Sequence, residues 1–237
     1  MINTAIILAG GFGTRLKSVV ADLPKPMAPV NDAPFLNYQL NYLKYFGIKK
    51  VIISTGHLSE KINSYYNFHY NGLNIRYSHE NEPRGTGGGI RLAMEKCEEE
   101  TALILNGDSF FDIDLNAFYD MHNNKKSRVS LALRKVAEAS RYGTIEINPY
   151  NKIISFKEKN TDLKPGLINA GVYIIEKKLY LKNTPADINF SIEKDFFEKQ
   201  LKDILIYGFE FNGYFIDIGI PEDYTKVQHD FKEFKYR

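Results

Sequence analysis

The stretch Thr4-Ala5-Ile6-Ile7-Leu8-Ala9-Gly10-Gly11-Phe12-Gly13-Thr14-Arg15-Leu16 decides the fold class. Thr4–Ala9 is a short isoleucine-rich apolar run that ends abruptly in two glycines. Such a run reads as a strand buried on both faces, the kind found inside a parallel sheet. The glycines let backbone approach a ligand closely, and their free amides can cradle phosphate oxygens. Arg15 adds a planar, permanently charged donor suited to phosphate. Lys25, held between Pro24 and Pro26, adds a second cation on stiff backbone. A dinucleotide fingerprint would need glycine or alanine where Leu16 stands, and a Walker loop would need Gly-Lys-Ser/Thr; neither is present.

Working outward, Val51–Ser54 and Ala102–Leu105 repeat the apolar-strand pattern. Helical patterns lie between and after them. Pro34 opens one that carries Phe35, Leu36, Leu40, Leu43 and Phe46 and closes at Gly47. Others begin at Ser59, run from Gly87 to Glu98, and follow Asp114. The alternation predicts right-handed βαβ units, with ligands beyond the carboxyl ends of the strands. That rule singles out the loops Gly10–Lys25 and Asn106–Asp112.

The second half predicts strands at Arg128–Arg134, Gly143–Asn148, Lys152–Glu158 and Leu167–Ile175, punctuated by Asn148-Pro149 and Pro165-Gly166. A helix over Ser191–Gln200 follows, then strands near Ile204–Phe209 and Tyr214–Ile218. A last helix opens at Pro221, with Tyr224, Val227, Phe231 and Phe234 as its buried stripe. The expected fold is α/β: one Rossmann-like (GT-A-like) domain over 1–237, with a mostly parallel mixed sheet flanked by helices. Residues 1–125 would mainly bind nucleotide and 126–237 sugar phosphate.

Composition narrows the function. A chain of 237 residues has room to bury about 70–75% of its unfolded surface without disulfides or structural metal. Lys and Arg number 31 against 29 Asp and Glu, interspersed throughout, which gives no basic face for nucleic acid. The lone Cys97 fits a reducing compartment and reads as a packing residue. The first apolar run is too short for a signal peptide or a bilayer span, so the expectation is a cytoplasmic protein without a membrane partner. The five histidines lack metal-ligand spacing.

Leu8–Leu16 followed by Pro24-Lys25-Pro26 resembles the signature of the sugar-1-phosphate nucleotidyltransferases. Further resemblances follow in the family's order. Pro83-Arg84-Gly85-Thr86-Gly87-Gly88 is similar to the nucleobase segment, and Asn106-Gly107-Asp108 to the loop presenting a metal-binding aspartate. Tyr142-Gly143, Glu158-Lys159 and Asn169-Ala170-Gly171-Val172-Tyr173 resemble sugar-binding elements. Asp217-Ile218-Gly219-Ile220-Pro221-Glu222-Asp223-Tyr224 resembles the second metal segment. The forms Ser18–Val30 and Gly85–Ile90 look most like the D-glycero-α-D-manno-heptose 1-phosphate guanylyltransferase branch. Lys17–Val20 and Ile220 depart from the broader pattern, which bears on the substrate rather than the chemistry.

The resemblance implies Mg2+-assisted in-line transfer of a nucleotidyl group, GTP being the expected donor, to a sugar 1-phosphate, with pyrophosphate released. Product for a bacterial capsule or other surface glycan would follow. Arg15, Lys25 and Asp108 are the implied catalytic residues. Leu8, Ala9, Gly10, Gly11, Gly13, Thr14, Arg15, Lys25, Glu80, Gly85, Thr86 and Gly87 would bind nucleotide. Asn106, Gly143, Glu158, Lys159, Asn169 and Asp217 would bind sugar phosphate, and Asp108 and Asp217 the Mg2+. The protein would be a monomer or homodimer, without the appended β-helix of longer relatives. The rival readings are a mannose- or other hexose-1-phosphate nucleotidyltransferase, a non-catalytic nucleotide-sugar sensor, and a glycosyltransferase using Asp112 and Asp114. For Asp114, capping of the following helix is the favoured role.

Overall fold

Four parallel strands at the centre set the position of everything else. The computed structural model describes residues 2–11, 16, 20, 22–157 and 164–237. Along the chain come β1 (Thr4–Leu8), a 3-10 turn at Lys25–Met27, the short pair β2 (Pro29–Val30) and β3 (Ala33–Pro34), then α1 (Phe35–Tyr45) and β4 (Lys50–Thr55). Next are α2 (Ser59–Tyr66), β5 (His69–Tyr70), β6 (Leu73–His79), α3 (Gly85–Lys96), β7 (Thr101–Asn106), β8 (Ser109–Phe111) and α4 (Leu115–Asn124). The second half supplies β9 (Val129–Val136), β10 (Thr144–Ile147), β11 (Ile153–Lys157), β12 (Gly166–Glu176) and α5 (Lys177–Asn183). A π-helical segment at Ile192–Glu198, β13 (Ile206–Phe211), β14 (Phe215–Asp217) and α6 (Pro221–Asp230) complete it.

Strands β7, β1, β4 and β6 lie parallel and adjacent, in the βαβ arrangement expected from the apolar runs. The second half extends the sheet by an antiparallel route. β12 pairs with β7 and β10 along one edge and β9 along the other, while β13 runs parallel to β9. The ladder of β12 shifts register between Asn169 and Tyr173, where Gly171 holds a φ of +75°. A side chain there would be strained by that φ and would meet the Asn106 amide at 2.6 Å.

Residues of β1 alternate between two cores. Ala5 and Ile7 join α1, α6 and a set of rings including Tyr38, Tyr42, Phe110 and Phe231. Ile6 joins α3, α5 and the π-helical segment through Met94, Tyr180, Phe196 and Phe197. Each fully buried isoleucine contributes roughly 1.5–3 kcal/mol. The tyrosines satisfy their hydroxyls inside the core: Tyr38 donates to Val30 O at 3.0 Å and Tyr42 to Ile113 O at 2.8 Å.

Some local expectations shift. Pro34 is the N-cap of α1, one position before the first turn, because Ala33–Pro34 is spent pairing with β2. α3 starts at Gly85, and α6 stops at Asp230. Phe231 and Phe234 nevertheless stack 3.9 Å apart against the core from the turn beyond α6. Among the described residues, no helix is long and apolar enough to cross a membrane.

Candidate active site

The loops after β1 and β7 meet at the carboxyl edge of the sheet. Leu8 and Asn106 are register partners, and Gly107 N donates to Leu8 O at 2.9 Å, so the two loops leave the sheet together. Lys25 begins the 3-10 turn after Pro24, whose φ of −61° and ψ of 144° aim the chain across both loops. Its ammonium lies 2.8 Å from Asp108 Oδ2; the lysine side chain is 9% exposed and the aspartate 39%.

Asp217 reaches the same place by a separate two-stranded ribbon. β14 pairs antiparallel with β8, setting Asp217 opposite Ser109, and Ile218 N donates to Asp108 O at 2.9 Å. Asp217 Oδ1 also accepts from Gly219 N at 2.7 Å. Burial, and after it the charge of Asp108, push the Asp217 carboxyl above the usual carboxylate range, and Lys25 opposes that rise. Two carboxylates therefore share one lysine at the mouth of a cleft.

Two cavities flank this group. The first, about 410 Å³, is lined by Leu8, Ala9, Gly10, Gly11, Lys25, Glu80, Gly85 and Thr86. The second, about 720 Å³, is lined by Gly143, Asn169 and Asp217, among others. Thr86, Asn106 and Asp108 border both. Asn169 is locked in orientation: its Oδ1 accepts from Gly171 N at 3.0 Å and its Nδ2 donates to the buried Tyr173 hydroxyl at 2.7 Å. Gly13, Thr14, Arg15, Glu158 and Lys159 lie outside the described residues.

Of the expected nucleotide residues, Gly87 acts from behind the wall and Glu80 both lines the first cavity and braces it. Gly87 is buried; its N–H donates to Phe190 O at 2.9 Å and its carbonyl accepts from the Tyr180 hydroxyl at 2.9 Å. A β-carbon there would sit 2.2 Å from the Phe190 ring, which is why glycine is required. Glu80 spends its carboxylate on Arg84 N at 2.9 Å and Ser54 Oγ at 3.2 Å, bracing the turn into α3.

That bracing continues from the second half of the chain. Phe190 N donates to Arg84 O at 3.0 Å, Asn189 Nδ2 to Pro83 O at 3.0 Å, and Ile192 N to Thr86 Oγ1 at 3.0 Å. Asn189 thereby lines the first cavity, while Ser191, Glu193, Lys194 and Glu198 wall the second. None of these stood out in sequence. The only local signal is Ser191 before a helical run, where its Oγ accepts from Lys194 N at 3.3 Å.

The comparisons agree with this geometry. Residues 4–233 match the Nucleotidyl transferase family. The chain belongs to that family. This nucleotidyl transferase is 46% identical over 230 residues to a D-glycero-alpha-D-manno-heptose 1-phosphate guanylyltransferase of Aneurinibacillus thermoaerophilus, covering 97% of this chain and 99% of that one. It is 44% identical over 220 residues to the protein of that name in Campylobacter jejuni subsp. jejuni, covering 93% and 96%. HddC from Yersinia pseudotuberculosis, solved alone and complexed with GMP-PN, superposes with a TM-score of 0.85 at 35% identity, covering 98% of this chain and 100% of that one.

The Asp112-Ile113-Asp114 motif of the nucleotidyl transferase is occupied structurally. Asp112 accepts from the Tyr236 hydroxyl at 2.9 Å and pairs with Lys235 at 3.0 Å. Asp114 caps α4, accepting from Asn116 N and Ala117 N at 2.9 and 3.0 Å. Neither carboxylate borders the cavities, which removes the structural basis for glycosyl transfer through this pair. Cys97 follows the last turn of α3, buried among core residues as expected of a packing residue.

Proposed function

We propose that this nucleotidyl transferase is a guanylyltransferase that transfers GMP from GTP to D-glycero-α-D-manno-heptose 1-phosphate. An oxygen of the sugar phosphate forms a bond to the α-phosphorus, the bond to the β-phosphate oxygen breaks, and GDP-heptose and pyrophosphate result. The observation that carries this reading is that two cavities meet at Thr86, Asn106 and Asp108, the last ion-paired with Lys25 of the first cavity, so both substrates would share one boundary. The specific sugar and base rest on the likeness to guanylyltransferases at 44–46% identity.

The donor set suits Mg2+. Asp108 and Asp217 are hard oxygen donors; burial, and after it the charge of Asp108, raise the Asp217 carboxyl, and a cation there would relieve that repulsion. Mg2+ usually takes one or two carboxylates and completes its shell with phosphates and waters. Asp108 and Asp217 would hold it, and it would supply charge screening for the phosphates. Lys25 holds Asp108 and faces the first cavity, where it contacts the α-phosphate; Arg15 supports the triphosphate and Lys159 the sugar phosphate. Backbone around Gly10 and Gly11 takes the phosphates, and Gly85 and Thr86 hold the base side. Glu158, Asn169 and Gly143 take sugar hydroxyls. Residues 1–125 supply mainly the nucleotide cavity and 126–237 mainly the sugar cavity of one domain. The enzyme works in the cytoplasm as a monomer or homodimer, supplying GDP-heptose for a surface polysaccharide.

Incubation with GTP, Mg2+ and the heptose 1-phosphate should release pyrophosphate, and a matrix of nucleotides against sugar phosphates should peak at that pair. No pyrophosphate from any pair would overturn the enzymatic reading.

A further inference from the structure

Glu193 lines the second cavity, and among the described residues no cation is paired with it. Its Oε2 accepts from the Thr86 hydroxyl at 3.2 Å and from the Ser191 hydroxyl at 2.9 Å. Thr86 Oγ1 is itself fixed, since it accepts from Ile192 N at 3.0 Å. Among the described residues Oε1 takes part in no hydrogen bond and no cation pairs with the carboxylate. Glu193 is half-buried and lines the same cavity as Gly143 and Asn169.

An uncompensated carboxylate is costly in a cleft that must receive two phosphorylated substrates. It is tolerable only where the incoming group donates hydrogen bonds and carries no negative charge. An ionised glutamate is acceptor-only, and sugar hydroxyls are donors; the bond between them is charge-assisted. Asp108 and Asp217 line the same cavity beside the phosphate-facing Lys25, so Glu193 adds an acceptor on that lining for a group other than phosphate. Two hydroxyls fix it before any ligand arrives, one of them itself held by the Ile192 amide, which is how a specificity contact is kept in place.

We infer that Glu193 is a specificity-determining residue whose free carboxylate oxygen accepts a hydrogen bond from a hydroxyl of the sugar 1-phosphate. This rests on the nucleotidyl-transfer reading and adds a reader of the sugar that no motif supplied. A site built to bond a substrate hydroxyl discriminates strongly against analogues lacking it, because its own polar group is then left unpaired.

The test is Glu193→Gln, with KM measured separately for GTP and for the sugar 1-phosphate. Glutamine oxygen can still accept from Thr86 and Ser191, while the amide turned to the cavity donates where the carboxylate accepted. The expected result is a 10- to 100-fold rise in KM for the sugar 1-phosphate, the scale of a lost charge-assisted bond. KM for GTP and the melting temperature should stay near wild type. Deoxy analogues of the sugar 1-phosphate identify the hydroxyl: with the one lacking it, wild type and variant converge. A variant with unaltered sugar KM, or one whose loss falls equally on GTP, overturns the inference, the second outcome marking Glu193 as a brace for the Thr86 turn. Wild-type inactivity with every sugar phosphate would instead refute the proposed function itself.

Discussion

Replacing Lys25 by Met removes one charge and keeps most of the side-chain stem, so packing and electrostatics can be separated. The ammonium sits 2.8 Å from Asp108 Oδ2, and its side chain is nearly sequestered. At that distance the gross attraction is about 6 kcal/mol for an effective dielectric constant near 20 and about 1.5 kcal/mol in bulk water. Asp108 is 39% exposed, so water screens the pair and desolvation cancels much of the remainder. The net loss of stability should be about 1–2 kcal/mol, or about 2–8 °C in melting temperature for a chain of this size. Losing a positive group aimed at the reacting phosphate costs far more in rate, roughly 10²- to 10³-fold in kcat. Without Lys25, the Gly219 amide and the Arg141 guanidinium are left to oppose the rise of the Asp217 carboxyl beside Asp108, so added Mg2+ should raise the melting temperature more in Lys25→Met than in wild type. Calorimetry with and without Mg2+, alongside pyrophosphate release, measures all three. A variant turning over within threefold of wild type would refute the placement of Lys25 at the reacting phosphate, and an unchanged Mg2+ response would refute the shared-charge account of the two aspartates.

Four other outcomes follow from particular contacts. Asp217→Asn should lower kcat by at least tenfold, and raising Mg2+ should not restore it to wild type; full activity would remove Asp217 from the site. Gly87→Ala should cost about 1–3 kcal/mol and raise KM for GTP, since its β-carbon would press into the Phe190 ring; denaturant melts and initial rates test both. Asp114→Ala should lose about 1 kcal/mol of stability and no turnover, because it caps α4 away from the cavities; a collapse of activity would revive the motif as catalytic. Burial pushes the His122 imidazole down to about 4. Its folded form thus binds fewer protons than the unfolded chain, so stability is fully present above the ordinary histidine range and falls as pH drops toward 4. The loss reaches up to about 3 kcal/mol, and His122→Gln should flatten that slope in urea titrations.

How much was legible in sequence follows the physics of each element. β1, β4 and β7 are buried on both faces, so unbroken apolar runs announce them. β6 sits farther out, with exposed Asn74 and Arg76 alternating with buried Leu73 and Ile75, and its run is too broken to announce itself that way. The loops carrying Lys25, Asp108 and Asp217 were readable from the motifs that resemble the family's, and the structure brings the three side chains together. The Asn189–Glu198 wall was not. Its residues earn their position by hydrogen bonds to Pro83, Arg84 and Thr86, about a hundred positions earlier, and no local spacing encodes such a pairing. Gly87 and Glu80 were picked out in sequence, but their bracing contacts, from the Tyr180 hydroxyl to the Gly87 carbonyl and from Arg84 N to the Glu80 carboxylate, were not.

The ribbon of β8 and β14 acts as a ruler for the two acidic groups. Strand register moves only in whole residues, and a slip of one would turn Asp217 to the opposite side of the ribbon. The separation between the carboxylates is therefore a discrete quantity, insulated from small drifts in the main sheet. Substitutions in the surrounding cores can accumulate and bend the barrel of contacts around the cleft without detuning the pair. A change in spacing would require an insertion, a deletion or a bulge. Tolerance to gradual change in the scaffold and intolerance to length change in this one ribbon are two sides of the same design.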